Sequence, residues 1–303
     1  MVDILMATYN GEKYLSQQIE SILNQSYKNI RLIIRDDGSN DQTRSIIESY
    51  RVKYPQIIEI ISDTKNIKSA AGNFMELSKY ASSEYVMFSD QDDVWDKDKV
   101  KKSVEAIKSV ESRLGSSKPI LVFCRYRVVD EELNQLVAET DVDINKLKLN
   151  RLIVQNCIAG CVSIINKSLN SIIGDYDNLI MMHDWWIALI ACALGVIEYL
   201  PETLVLYRQH GANCIGNVDT SSLTYNASII KNGTAKELQL RYRDQIKLFE
   251  SRYSELLDED KKRIIDGYIH LFSLNKIARI KELIKGRYFK DTMLRIIGQL
   301  MFI

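Results

Sequence analysis

Apolar positions along the first 115 residues alternate between two periods. Residues 2–9 are nearly continuous in apolar character, and after a polar turn Tyr14, Leu15, Gln18, Ile19, Ile22 and Leu23 fall on one helical face. A buried strand followed by a one-sided helix is the unit this predicts. The unit recurs as "IRLIIRDDGSND" with "QTRSIIESY", as "IIEIIS" with "NFMELSKYA", and as "EYVMFSDQDD" with "KVKKSVEAIKSV". Strands alternating with amphipathic helices predict an α/β fold with a mostly parallel central sheet covered on both faces. In such sheets ligands bind at the carboxyl ends of the strands, where "ATYNG", "RDDGSND" and "SDQDD" lie.

Beyond residue 118 the rhythm loosens. "PILVFCRYRVVDEE" and "QNCIAGCVSIINKSL" read as strands with irregular connections around a polar stretch near 139–150, "MHDWWIALIACALG" as a buried helix, and "VIEYL" as a short strand before "ETLVLYRQHGANCIG". After a polar region, Leu238, Tyr242, Ile246, Phe249, Tyr253 and Leu256 keep helical spacing, and Asp260 is placed to cap a further helix.

At 303 residues and 46% hydrophobic content the chain can bury a large core. Forty basic and forty acidic side chains cancel, so no global field draws in nucleic acid, and none is expected as a partner. Residues 1–10 lack the basic start and small-residue cleavage site of a secretory signal, and "WWIALIACALG" is too short to span a bilayer, so a cytoplasmic protein is expected. The five cysteines read as reduced thiols; Cys157 and Cys161 lack a second closely spaced pair, which speaks against structural zinc. No G-x-G-x-x-G or G-x-x-x-x-G-K-[ST] occurs in the three loops, which disfavours a Rossmann dehydrogenase or a P-loop enzyme.

Candidate chemistry concentrates in "YVMFSDQDDVWDKDKV", where an apolar run delivers five aspartates within residues 90–98. Adjacent carboxylates repel unless something balances them. Mg²⁺ or Mn²⁺ takes oxygen ligands from one or two carboxylates, with water and substrate phosphates completing the sphere. Asp90, Asp92 and Asp93 at a strand end therefore point to a metal–diphosphate site. Acids also complement the dipole at a helix amino terminus, and that reading suits Asp96 and Asp98.

"MATYNGEKYLSQQIESILNQSYKNIRLIIRDDGSND" followed by "FSDQDDVW" resembles the family-2 glycosyltransferases of the GT-A fold, a Rossmann-like nucleotide-sugar-binding architecture. The resemblance runs to about residue 216. "SDQDDVW", "HDWWIALIA" and "YRQHGANCIG" are most similar to bacterial rhamnosyltransferases. It implies a catalytic domain over 1–220, with a nucleotide-sugar half at 1–115 and an acceptor half at 116–220, and a helical region at 221–303.

The resemblance also assigns roles. Ala7, Thr8, Tyr9, Asn10, Asp36 and Asp37 would hold the nucleotide, with Asp37 accepting the ring N–H of uracil or thymine. Asp90, Gln91, Asp93 and Arg208 would join the nucleotide-sugar site. Asp92 would bind the metal, with Asp93 as the alternative, and His210 would return to the metal or diphosphate. Asp184 would be the catalytic base, while His183, Trp185 and Trp186 would wall a sugar pocket; read from the residues alone, Asp184 serves equally as a helix cap. One departure stands out: "NIKSAAGNF", with Lys68 and a displaced Gly72, replaces the relatives' Asn-x-Gly pattern.

The implied activity is inverting, metal-dependent transfer of a sugar from a nucleoside diphosphate, dTDP-rhamnose first and UDP-glucose or UDP-galactose as alternatives, to a glycan or lipid-linked saccharide of a bacterial surface polysaccharide. A sugar-phosphate nucleotidyltransferase would need a basic triphosphate loop, and "ATYNGEKY" offers one lysine. Residues 276–303 carry seven basic side chains, Lys276, Arg279, Lys281, Lys285, Arg287, Lys290 and Arg295, against Glu282 and Asp291. Interleaved with apolar residues, they suit an anionic membrane surface, or a helix packed on the catalytic body or on a dimer partner.

Overall fold

A computed structural model describes residues 1–62, 67–137, 142–211 and 234–302. The alternation read from the first half forms as expected: β1 (Val2–Thr8), α1 (Leu15–Leu23), β2 (Ile30–Asp36), α2 (Thr43–Lys53), β3 (Ile58–Ile60), α3 (Ala70–Ser78), β4 (Tyr85–Ser89), the short β5 (Val94–Trp95) and α4 (Lys99–Leu114). There follow β6 (Ile120–Val129), α5 (Leu149–Leu152), β7 (Ser163–Asn166), α6 (Lys167–Asn170), α7 (His183–Leu194) and β8 (Val196–Arg208). Four helices end the chain: α8 (Thr234–Tyr253), α9 (Glu259–Leu271), α10 (Lys276–Gly286) and α11 (Met293–Phe302).

The strands form one sheet in the order β3-β2-β1-β4-β7-β6-β8-β5. Strands β1 to β4 pair parallel, and β7 joins them to the second half by running antiparallel to both β4 and β6. Because β1 and β4 are central, their side chains face helices on both sides, and Val2, Ile4, Leu5, Met6, Val86, Met87 and Phe88 are all buried. The parallel register brings the carboxyl ends of β1, β2 and β4 to one edge.

Several expectations change on contact with the tertiary structure. "VIEYL" and "ETLVLYR" are one strand, β8, whose pairing with β6 shifts register around Arg125. Pro201 lies at that irregularity and cannot donate to a ladder, so the sequence break is a bulge within a strand. Asp258, not Asp260, caps α9, its side chain accepting from Lys261 N. Leu256 falls in a 3-10 turn after α8 and is exposed.

Trp185 and Trp186 do not wall a sugar pocket. Both rings turn into the core, with the indole N–H groups donating to Leu152 O and to Ile173 O. The ring of Trp186 meets Phe249 and Tyr253 of α8, so it joins the catalytic sheet to the helical tail. Trp186→Ala is expected to lower unfolding free energy by about 3–5 kcal/mol, as for other large-to-small core changes; an unchanged midpoint in urea would contradict this packing role.

Candidate active site

The loops after β1, β2 and β4 are held together by side chains that accept backbone N–H groups. Asn10, at φ 47°, sits in the left-handed region that asparagine tolerates, donating its N–H to Ser39 Oγ and accepting from Asn40 N. Asp36 accepts from Ser39 N, Ser39 Oγ and Arg44 Nε. Gln91 grips the peptide of Tyr9 from both sides: its Oε1 accepts from Tyr9 N at 2.9 Å and its Nε2 donates to Tyr9 O at 3.0 Å. A Cβ on Gly11 would stand 2.3 Å from Gln91 Oε1, so glycine is what lets this strap close. Asn10, Asp36 and Gln91 thus build the loops, and of the three Gln91 alone also reaches the cavity wall.

That cavity, about 1060 Å³, opens at the carboxyl ends of the parallel strands and is large enough for a nucleotide sugar. Ala7, Thr8, Tyr9, Asp37, Asp90, Gln91, Asp92, His183 and Asp184 line it. Asp37 Oδ1 is anchored by Ile67 N at 2.9 Å and Arg35 Nη1 at 3.2 Å, and Tyr9 on the same cavity wall is exposed. The wall also includes Lys68, Ser69, Asn73, Tyr126, the run Asn156–Gly160 and Tyr207, none of which sequence reasoning placed in the site. The small residues in "QNCIAGC" were the available signal for the run: a Cβ on Gly160 would lie 2.5 Å from His183 Nε2. The rearranged "NIKSAAGNF" keeps a place in the wall through Lys68 to Asn73, while Asn66 lies outside the described residues.

Electrostatically the site is an acidic cluster under desolvation. Burial, followed by repulsion from Asp93, Asp92 and Asp184, raises Asp90 well above the carboxylate range. Burial and Asp92 push Asp93 up to about 7. Burial raises Asp92 too, offset in part by His210, whose Nε2 lies 2.9 Å from Asp92 Oδ2. Asp93 is fully buried; its Oδ1 accepts from Arg208 N, whereas Oδ2 has no hydrogen-bond partner among the described residues.

Two donor sets are conceivable for a cation. Ligand atoms of Asp90, Asp93 and Cys161 lie within 4.8 Å of one another. Burial keeps the Cys161 thiol protonated, however, and the Lys99 ammonium already sits beside this group, donating to Cys161 O and lying over the Trp95 ring. A protonated thiol and a resident cation are poor company for Mg²⁺ or Mn²⁺, which prefer oxygen. Asp92, on the cavity wall with His210 behind it, fits a hard divalent ion better.

Arg208 was expected at the diphosphate, and the structure corrects this. The guanidinium is buried and faces inward, donating to Asp92 O, Glu131 O and Gln17 Oε1 over the Tyr14 ring. It fixes the aspartate loop against β8 and lies off the cavity wall.

Asp184, also on the cavity wall, stands in the first turn of α7. Its Oδ1 accepts from Trp185 N and its Oδ2 from Gly160 N at 3.0 Å; Met182, not Asp184, is the cap residue of the helix, and Asp184 lines the cavity from within the first turn. Burial raises it to about 6. His183 stacks on Phe74 with ring centroids 4.0 Å apart, and burial lowers it to about 3, keeping the ring neutral. Neither of its nitrogens has a hydrogen-bond partner among the described residues.

With this geometry, comparison with other proteins is direct. The profile described as Glycosyl transferase family 2 matches residues 3–114. The dTDP-rhamnosyl transferase RfbG of Shigella flexneri is 30% identical over 241 residues, 75% of this chain and 79% of that one. Among solved structures, S. aureus TarS in complex with UDP superposes with TM-score 0.58 at 18% identity, covering 91% of this chain and 73% of that one. The mannosyltransferase PcManGT from Pyrobaculum calidifontis, in complex with GDP-Man and Mn²⁺, gives TM-score 0.58 at 15% identity, covering 97% and 76%. The protein is therefore a glycosyltransferase with the GT-A fold. It belongs to family 2, as its loops and aspartates led us to expect.

Proposed function

We propose that this protein transfers rhamnose from dTDP-rhamnose, with inversion, to a saccharide acceptor of a surface polysaccharide. The observation that carries the reading is that Asp184 lines the same cavity as Asp37, Asp90 and Asp92. The likeness to RfbG favours rhamnose and dTDP; a UDP-hexose donor is the alternative, favoured by the fold shared with the UDP-bound TarS.

In this reading residues 1–115 supply the nucleotide wall and 116–220 the acceptor wall, with 221–303 as a helical extension. Ala7, Thr8 and Tyr9 border the base and ribose, and the Asp37 carboxylate accepts the imide N–H. Asp92 and His210 would hold Mg²⁺ or Mn²⁺, which would supply positive charge to offset that of the diphosphate. Asp184 takes the proton of the acceptor hydroxyl. The freed oxygen bonds to the anomeric carbon on the face opposite the diphosphate, and the old C–O bond breaks with its electron pair leaving on the diphosphate. His183, kept neutral by burial, borders the sugar end of the cavity. The work is done at the cytoplasmic face of a membrane, where a lipid-linked acceptor would be found.

A donor panel of dTDP-rhamnose, UDP-glucose, UDP-galactose and GDP-mannose, each with Mn²⁺ or Mg²⁺, tests this by thermal stabilisation and nucleotide release. Selective response to dTDP-rhamnose is expected. Response to a UDP-hexose would transfer the assignment to the alternative, and no response to any donor would overturn it.

A further inference from the structure

We infer that the outer face of α10 and α11 is a docking surface for an anionic lipid bilayer. Part of the basic tail is spent inside the protein. Arg279 donates to Leu271 O and Leu274 O, Arg295 pairs with Asp291, and Lys290 is packed over the Tyr242 ring. Leu283, Tyr288 and Gln299 are buried, Asn150 Nδ2 donates to Gly286 O, and Arg151 Nη2 donates to Lys290 O. The inner face of the two helices is therefore already occupied by the catalytic body.

What is left outside has a pattern. Ile277 and Ile284 of α10 are 71% and 53% exposed, and seven residues apart they share a face with Lys281 between them. Met293, Ile297 and Met301 recur every fourth residue along α11 and are 72%, 47% and 52% exposed. Lys276 Nζ donates to Met301 O, so the start of α10 meets the end of α11 and the two stripes adjoin. Lys276, Lys281, Lys285 and Arg287, all exposed, accompany them, with Glu282 as the acid beside Lys285.

Charge complementarity selects the occupant. Flexible aliphatic and thioether groups flanked by long cationic side chains suit the boundary between acyl chains and anionic headgroups, into which lysine stems can lie while their ammonium groups reach phosphate. A second copy of the chain would bring like cations face to face, which is unfavourable. The surface deepens the proposed work on a lipid-linked acceptor, yet vesicle binding needs no donor, so it stands or fails separately from the sugar assignment.

Truncating the tail is the wrong test, because removal of Leu283 and Tyr288 would open the core. The full chain should instead be sedimented with vesicles containing about one-third phosphatidylglycerol in phosphatidylcholine, and with phosphatidylcholine alone. Binding to the anionic vesicles at low salt is expected, weakened by added salt through screening. Ile277→Ser with Ile297→Ser, and separately Lys281→Glu with Lys285→Glu, should each reduce partitioning by about tenfold or more. The thermal midpoint should hold in both, since these side chains are exposed. Wild type that ignores anionic vesicles at low salt, variants that bind like wild type, or a concentration-dependent dimer abolished by the isoleucine changes would each overturn the inference.

Discussion

Asp184→Asn is expected to slow sugar transfer by roughly 100- to 10,000-fold while leaving donor binding within a few-fold of wild type. The amide keeps the size of the carboxylate but cannot accept the acceptor's proton. It can still accept from Trp185 N or Gly160 N, though not from both through equivalent oxygens, so a small loss of thermal stability accompanies the change. The pH profile gives a second readout. Burial favours the neutral acid, raising Asp184 to about 6, so the basic form prevails above that pH and is lost below it. In wild type, kcat/KM should fall about tenfold per pH unit below about 6, and in the variant that acid limb should disappear. Near-normal transfer by Asp184→Asn, or an unchanged acid limb, would pass the role to another carboxylate of the cavity wall, such as Asp90.

Asp92→Asn should fail at a different stage. It removes one charge from an acidic cluster that burial already disfavours, so the metal-free protein should keep or raise its thermal midpoint despite the altered contact with His210. The Mn²⁺-supported affinity for a nucleoside diphosphate should drop by at least about 10- to 100-fold, the range associated even with the outer partners of metal ligands. Isothermal titration with dTDP or UDP, with and without Mn²⁺, measures this directly. A variant that keeps the wild-type metal dependence would eliminate Asp92 as a ligand and direct attention to Asp93, whose Oδ2 is the buried carboxylate oxygen without a hydrogen-bond partner among the described residues.

Much of the first half was legible because its signals are local. The apolar runs of β1, β2 and β4 and the one-sided faces of α1 and α4 each satisfy a period of their own, and topology then sends their loops to one sheet edge. Asp37, Asp90, Asp92 and Asp184 reach the cavity that was expected of them. Side-chain direction was not legible in the same way. "HDWW" reads as one polar-to-aromatic unit, but successive helical residues are rotated by about 100° from one another. Asp184 therefore meets the cavity while Trp185 and Trp186 enter the core beneath it. Arg208 gives the same lesson: a loop-end arginine was read as a phosphate ligand, and three acceptors brought in from Asp92, Glu131 and Gln17 turn it inward.

By itself the chain determined the strand–helix alternation, the position of the aspartate loop at a strand end and the absence of a global charge, because each depends on periodicity or composition within a short window. Only the tertiary structure decided which donors share a surface. It set Gln91 against the Tyr9 peptide, brought Asn156–Gly160 to the wall beside His183, and divided the tail's basic residues between an inner and an outer face. Each of these joins segments far apart in sequence, and their meeting depends on the packing of the whole sheet and its helices, which no local pattern encodes.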